Sequence, residues 1–527
     1  MVLKITMLVA FFAMMLGVGL YTRTKAKDIN GFVLGGRSIG PWLTAFAYGT
    51  SYFSAVVFIG YAGQFGWKYG ISSTWIGIGN AFLGSLLAWI VMGRRTRIMT
   101  HHLDAKTMPD FFGKRFQSKA LRIAAATVTF VFLIPYTASL YKGLSILFGL
   151  AFDIPYIACV IAMALLTSVY VSLGGYMATA ITDFIQGFIM IGGIVAVIVA
   201  VITGQGGFLC AIKELSAVPA DPSVAAPALR EMSGMFASFF GPDPLNLLGV
   251  VILTSLGTWG LPQMVGKFYA INSEKAIKTG TVVSTVFAVI IAGGCYFLGG
   301  FARLFDSPQI HGPKGIIYDS IIPQMLSTLP DILIGIVVVL VLSASMSTLS
   351  SLVLTSSSTL TLDMLKITCL KNINEKRTVF VMRVFIMFFI FLSVVMALNP
   401  PDFIAQLMGY SWGALAGSFL ASFLFGLFSK KVTRAAVWAN FIWGVGLTLI
   451  NMVPDLRFIQ SPINCGAIAM VGGLVIVPLV SLVTPKLKAH DVEQMFECYD
   501  EKVQVSKKLA LADDMSNMNN SKGGNHT

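Results

Sequence analysis

Charge is what this chain has least of. Only 12% of its 527 residues are Asp, Glu, Lys or Arg, about half the share of an ordinary soluble domain, which excludes a soluble globule of this size. Acid is scarcer than base, 24 against 37. The few carboxylates inside apolar stretches exclude carboxylate metal chemistry, and no nucleophile, base and orienting group fall at a recognisable spacing, so an enzyme is not expected. The six cysteines, Cys159, Cys210, Cys295, Cys369, Cys465 and Cys498, are scattered, which excludes a disulfide framework or a zinc site. The five histidines, adjacent His101 and His102 among them, form no ligand constellation and are expected to be solvated.

What is present is apolar: 56% hydrophobic residues and a mean hydropathy of +0.79. Runs long enough to cross ~30 Å of hydrocarbon recur from end to end, and the chain reads as an all-α polytopic membrane protein with about thirteen spans. The first runs from Ile5 to Tyr21. It follows a single Lys4, lacks a small-residue cleavage site and precedes Arg23, Lys25 and Lys27, the pattern of a retained helix rather than a signal peptide. The others centre near 41–63, 71–93, 120–148, 154–173, 182–203, 246–265, 280–301, 332–361, 378–398, 403–428, 435–453 and 465–483.

The formal charge of +13 is spread over short loops, so it reads as membrane topology and not as a nucleic-acid surface. Clusters at Arg23 to Arg37, Arg94 to Lys119, Lys267/Lys275/Lys278, Lys366 to Arg377 and Lys430 to Arg434 all fall on one side, the cytoplasmic one. With an odd number of spans this puts the N terminus outside and the C terminus inside. The Pro-, Gly- and Ser-rich loops 204–244 and 304–329 are then external, placed to carry short helices or to gate the outer mouth. A transmembrane domain of residues 1–484 and a polar, largely disordered cytoplasmic tail of 485–527 are expected, the disorder including its last twenty or so residues.

Inside one of the greasiest spans lies Ala344-Ser345-Met346-Ser347-Thr348-Leu349-Ser350-Ser351. A helix in lipid satisfies its own backbone, so hydroxyls at that depth need another role. Adjacent Ser347 and Thr348 suit a small bare cation that takes oxygen ligands, and sodium is the ion expected. Isolated Ser or Thr pairs also bond back to the preceding turn or ease close helix packing, and protons remain an alternative coupling ion. Two further spans are breakable. One has Gly40-Pro41 at its entry and the weakly apolar stretch 47–54; the other carries Ser255 to Pro262. Gly and Pro at mid-span favour unwound backbone whose carbonyls can hold an ion. The two begin spans five apart, the signature of inverted repeats, about 41–203 and 246–428, with the site at their interface.

With those residues in hand, the chain resembles the sodium/solute symporter family, and most its bacterial sodium/proline and sodium/pantothenate branch. The resemblance covers nearly every span. It is carried by residues 32–41, by Gly174-Gly175-Tyr176 with Thr182 to Gln186, and by Met346 to Ser350. It implies a LeuT-type core of two inverted five-helix repeats with flanking helices. It also implies one sodium bound by the carbonyls of Thr50, Phe53 and Ala344 and the hydroxyls of Ser347 and Thr348. Five neutral oxygens suit a monovalent ion that must leave in every cycle. Asp183 matches an acidic position on the sodium exit path, or is an interfacial helix-start carboxylate; Arg37 matches a functional basic residue, or is a topology anchor.

The solute is expected between the two broken helices, against Ser54, Tyr136, Thr254, Thr258 and Trp259. Two departures bear on its identity. Tyr52 stands where proline carriers hold an acidic residue, and Thr254 aligns with their pocket tryptophan, while Gly260-Leu261-Pro262 is similar to the pantothenate carriers. The expected function is sodium-coupled symport of a small organic solute, an amino acid such as proline or a small carboxylate such as pantothenate, at the plasma membrane. The expected partners are solute, sodium and the bilayer, with no obligatory protein partner. Two alternatives stand beside it: a sugar-like solute, and a membrane-embedded solute sensor without net transport, for which the tail is short and polar.

Overall fold

The computed structural model describes residues 2–504, apart from 153, 314, 401 and 402. It is helical almost throughout; among the described residues the one sheet is a two-strand hairpin, His311–Gly312 with Gly315–Ile316. Among the described residues, ten helices are long and apolar enough to cross a membrane, eleven if the bent pair Pro244–Gly260 and Pro262–Ala270 counts as one more. The difference from thirteen has a physical origin. Tyr156–Gly204 runs for 49 residues, about 70 Å of helix and more than twice the hydrocarbon thickness, and holds two of the expected spans; Val56–His102 runs for 47 residues and joins the end of the span expected at 41–63, whose first part is the separate helix Pro41–Tyr52, to the one expected at 71–93. Tyr156–Gly204 is bent at Gly175, whose φ of 56° and ψ of −150° suit glycine alone. A Cβ there would lie 2.9 Å from the Phe32 carbonyl oxygen. The Gly174-Gly175-Tyr176 motif is therefore the bend of this helix.

Burial sorts centre from rim. The most apolar window is 83% buried in Ile404–Phe428 and 72% in Asp331–Thr368, but 22% in Lys4–Thr22, so the first two stand at the middle and the last faces lipid. The hydroxyl-rich helix Asp331–Thr359 lies along the bent helix Tyr156–Gly204, and both touch Pro41–Tyr52. Arg434–Met452 and Pro462–Val483 flank Ile404–Phe428 from outside this core. Small residues allow the closest crossings: a Cβ on Gly66 would sit 1.9 Å from the Gly299 carbonyl oxygen.

Both spans expected to break do so. The Pro41–Tyr52 helix opens at Phe53 (φ −91°, ψ 116°), and helix resumes from Val56. The Pro244–Gly260 helix opens at Leu261 (φ −81°, ψ 122°) and restarts at Pro262, bent by 45°. The broken pair is tied together twice. Tyr52 Oη donates to the Thr254 carbonyl at 2.9 Å, and Ile39 pairs with the backbone of Ala270 and Asn272.

Two expectations need correction. Lys267 is not a loop lysine; it lies in the Pro262–Ala270 helix and is 3% exposed. The tail is helical over Ala489–Gln504, where Tyr499 Oη donates to the Arg95 carbonyl at 3.2 Å and the Arg115 guanidinium covers the Phe496 ring. The disorder expected of the last twenty residues lies outside the described residues.

Candidate functional site

The hydroxyl run divides its labour by helical position. Ser345 Oγ accepts the Ala55 N–H at 3.1 Å, capping the second half of the first broken helix from across the bundle. Ser350 bonds back to the Ser347 carbonyl, the local role open to any mid-helix serine. Ser347 and Thr348 face the break. Ser347 Oγ lies 3.0 Å from the Thr50 carbonyl oxygen and 2.9 Å from that of Ala344; Thr348 Oγ1 lies 3.2 and 3.1 Å from the same two. Four of the five expected cation oxygens thus form one cluster, fully buried at Thr50, Ser347 and Thr348. The fifth, the Phe53 carbonyl, belongs to the residue where the helix opens, and the Val57 N–H one turn on bonds Ser54 instead. An uninterrupted helix would keep such carbonyls engaged; the break frees them.

One turn along the hydroxyl-rich helix, Ser351 Oγ sits 2.8 Å from Ser51 Oγ on the first broken helix and accepts from Lys267 Nζ at 3.0 Å. Lys267 Nζ also lies 3.7 Å from Asp183 Oδ2 and 5.1 Å from the centre of the Tyr176 ring. Asp183, expected on the ion's exit path, is fully buried beside this lysine. A small cavity of about 40 Å³, lined by Tyr176, Gln263, Lys267, Ser351 and Thr355, reaches from here to Lys106 and Thr107 at the basic end of the bundle. Arg37 stands at that end. It donates to the Ala105 carbonyl at 2.9 Å and lies 3.6 Å from Asp104, pinning the 35–38 turn to the 103–107 loop. Burial lowers its pKa.

The opposite end is tied by one buried carboxylate. Asp319, buried in the 304–329 loop, pairs with Lys142 at 2.7 Å and accepts the Ile404 N–H, joining three separate elements. Burial raises its carboxyl pKa in spite of Lys142.

The solute residues expected from sequence separate into two groups. Ser54 and Tyr136 face each other next to the first break, in an aromatic cluster with Tyr52 and Trp412, whose ring centres lie 5.4 Å apart. The other group is committed elsewhere. Thr254 Oγ1 bonds back to Val250, Thr258 Oγ1 donates to the Gly84 carbonyl, and Trp259 Nε1 donates to that of Leu83. Their polar groups serve helix contacts in this conformation. Trp412, Tyr61 and Lys267 went unrecognised in the sequence. Among the described residues, buried Tyr61 Oη and Trp412 Nε1 have no hydrogen-bond partner, unusual for buried polar groups. For Lys267 the signal was there: Met264, Val265, Phe268 and Tyr269 around it are the pattern of a buried helix.

The model of the sodium:solute symporter family matches residues 32–444. The sodium/proline symporter of Escherichia coli (strain K12) is 30% identical over 457 residues, covering 85% of this chain and 86% of that protein. The osmoregulated proline transporter OpuE of Bacillus subtilis (strain 168) is 28% identical, covering 85% and 88%. Among solved structures, a Na+-coupled sialic acid symporter in a substrate-bound outward-open state superposes with a TM-score of 0.73 at 17% identity, over 92% of this chain and 99% of that one. Mhp1, a nucleobase-cation-symport-1 family transporter, superposes with 0.52 at 13%, over 88% and 97%. These neighbours are transporters of the LeuT fold, so the chain shares that all-helical membrane architecture. On the family model and the near-complete span it shares with its relatives, this chain belongs to the sodium:solute symporter family, carriers that use sodium as coupling ion and not enzymes.

Proposed function

We propose that the protein carries a small organic solute into the cell with sodium by alternating access. One observation carries the reading: hydroxyls of Ser347 and Thr348 meet the Thr50 carbonyl where another helix is broken, 3.0 and 3.2 Å away. With sodium bound, the carbonyls of Thr50, Phe53 and Ala344 and the two hydroxyls supply five neutral oxygens. The ion then links the first broken helix to the hydroxyl-rich helix, which favours one arrangement of the bundle. A membrane potential contributes about 2.3 kcal/mol per charge per 100 mV, on top of the concentration gradient. In this reading the bundle has thirteen spans, N terminus outside and C terminus inside, with inverted repeats at about 41–203 and 246–428 in the plasma membrane. The small cavity lined by Lys267 marks the cytoplasmic exit, and Asp183 stands beside it.

The solute site forms at the cluster of Ser54, Tyr136, Tyr52, Tyr61 and Trp412, with Thr254, Thr258 and Trp259 joining it only if the second broken helix shifts. Aromatic walls with unengaged Tyr61 and Trp412 donors suit a small molecule with an apolar body and an acceptor such as a carboxylate. Proline, transported by the named relatives, and pantothenate are the first candidates. Purified protein in liposomes should accumulate one of them under an inward sodium gradient and not under an equal potassium gradient. Accumulation indifferent to sodium would refute the coupling.

A further inference from the structure

Arg383 is a cation at membrane depth to which the fold gives no anion. It stands in the helix Glu375–Leu398, eight residues and about 12 Å on from its start. This helix lies at the rim of the bundle, 33% buried over its most apolar window. Among the described residues the guanidinium meets no carboxylate, and its Nε is buried without a hydrogen-bond partner. Its nearest recorded company is the Phe32 ring, 5.8 Å from the guanidinium carbon to the ring centre. Other arginines at this end are engaged: Arg37 and Arg97 donate to backbone carbonyls, Arg115 to those of Gly426 and Ser429, and Arg122 pairs with Asp110 and Asp363. Helical spacing decides what Arg383 faces. Lys376, Phe380 and Met387 share its stripe, and all three are exposed, Phe380 at 65% and Met387 at 53%. Val379 and Ile386, on the adjoining stripe, are buried. The half-buried arginine therefore sits at a seam, with Phe32 on one side and a surface that faces hydrocarbon on the other.

We propose that Arg383 and Lys376 form a binding site for the headgroup of an anionic phospholipid. A charge so deep requires a counter-charge, and on the lipid-facing side of the seam the available anion is a phospholipid phosphate. An arginine on a helix leans toward the helix start, here the end where Lys376 stands, which brings the guanidinium up to headgroup level. Its planar fork suits two oxygens of a phosphodiester. Lys376, two turns nearer the helix start, repels the ammonium of a zwitterionic headgroup and so selects a lipid of net negative charge. Phe380 and Met387 lie along the acyl chains. A lipid held in this way ties the rim helix to Ile29–Leu34, the segment that leads into the first broken helix.

The test is photocrosslinking in the full-length protein with p-benzoylphenylalanine in place of Phe380, reconstituted in vesicles of equal phosphatidylglycerol and phosphatidylcholine. Mass spectrometry of the adducts reads which lipid occupies the seam. Phosphatidylglycerol adducts should exceed phosphatidylcholine adducts about fivefold or more, the worth of one basic residue near a membrane surface. Arg383→Gln should bring the ratio close to parity. Arg383→Lys should keep part of the preference, and Arg377→Gln, on another face of the same helix, should keep all of it. Added inorganic phosphate should leave the ratio unchanged. Parity in the protein that retains Arg383 would overturn the proposal whatever the variants do. An undiminished ratio in well-folded Arg383→Gln would also overturn it, and so would loss of the preference to inorganic phosphate, which would make the site one for a free anion.

Discussion

Thr348→Ala removes one cation oxygen and little else. The Thr348 hydroxyl touches the Thr50 and Ala344 carbonyls, and both keep Ser347 Oγ, at 3.0 and 2.9 Å, when it is gone. No buried acceptor is orphaned, so the fold should lose under about 1 kcal/mol. The ion loses one of five ligands in a site from which water is excluded. A polar contact to a charged group there is worth about 1.5–3 kcal/mol, and about 1.4 kcal/mol is a factor of ten in affinity. The half-saturating sodium concentration should therefore rise roughly tenfold to a hundredfold. Sodium binding to purified protein reads this without knowledge of the solute. Thr348→Ser, which keeps the oxygen, should behave like wild type. If Thr348→Ala binds sodium as wild type does while Thr348→Ser is equally unaffected, the hydroxyl is not a ligand and its contacts serve only to pack two helices.

Three further outcomes follow from other parts of the bundle. Gly175→Ala should lower the unfolding midpoint measured in detergent, because a side chain at φ 56° and ψ −150° costs about 1–3 kcal/mol and its Cβ meets the Phe32 carbonyl oxygen; an unchanged midpoint would mean the bend relaxes freely. Asp319→Asn removes the ion pair with Lys142, and a cysteine at Ser54 should then react faster with a membrane-impermeant thiol reagent applied from outside. Burial raises the Asp319 pKa, so acidification neutralises this carboxylate at a higher pH than an ordinary aspartate and should act in the same direction in wild type, with no added effect in the Asn variant; pH-independent labelling in wild type would count against a latch. Trp412→Phe keeps the aromatic wall but removes the Nε1–H. It should raise the solute KM by about twofold to tenfold, the worth of one net hydrogen bond, and leave sodium binding alone; a simultaneous loss of sodium affinity would show that the two sites were wrongly separated.

Much of this site was legible in one dimension because lipid imposes strict rules. Hydroxyls at 345–351 and Gly or Pro at 40–41 and 257–262 conflict with an uninterrupted apolar helix, and both helix breaks and the Ser347/Thr348 cluster lie where those conflicts pointed. Lys267 was misread because a lone lysine just after a span ordinarily marks its cytoplasmic end. Its partner Asp183 is 84 residues away in the chain, and no local pattern announces the pair. Thr254, Thr258 and Trp259 share a face suited to a pocket, yet which polar group each meets depends on how close the 83–84 backbone comes.

By itself, then, the sequence determined the membrane setting, the helices and the places where they break, since each follows from the cost of charge and of open backbone in hydrocarbon, a cost paid residue by residue. Tertiary structure alone decided which broken end faces which hydroxyl, that Trp412 and Tyr61 keep unengaged buried donors, and that a lysine stands beside Asp183. Those are matters of distance between helices far apart in the chain, set by how side chains interlock across the bundle, and periodicity within a single helix holds no record of them.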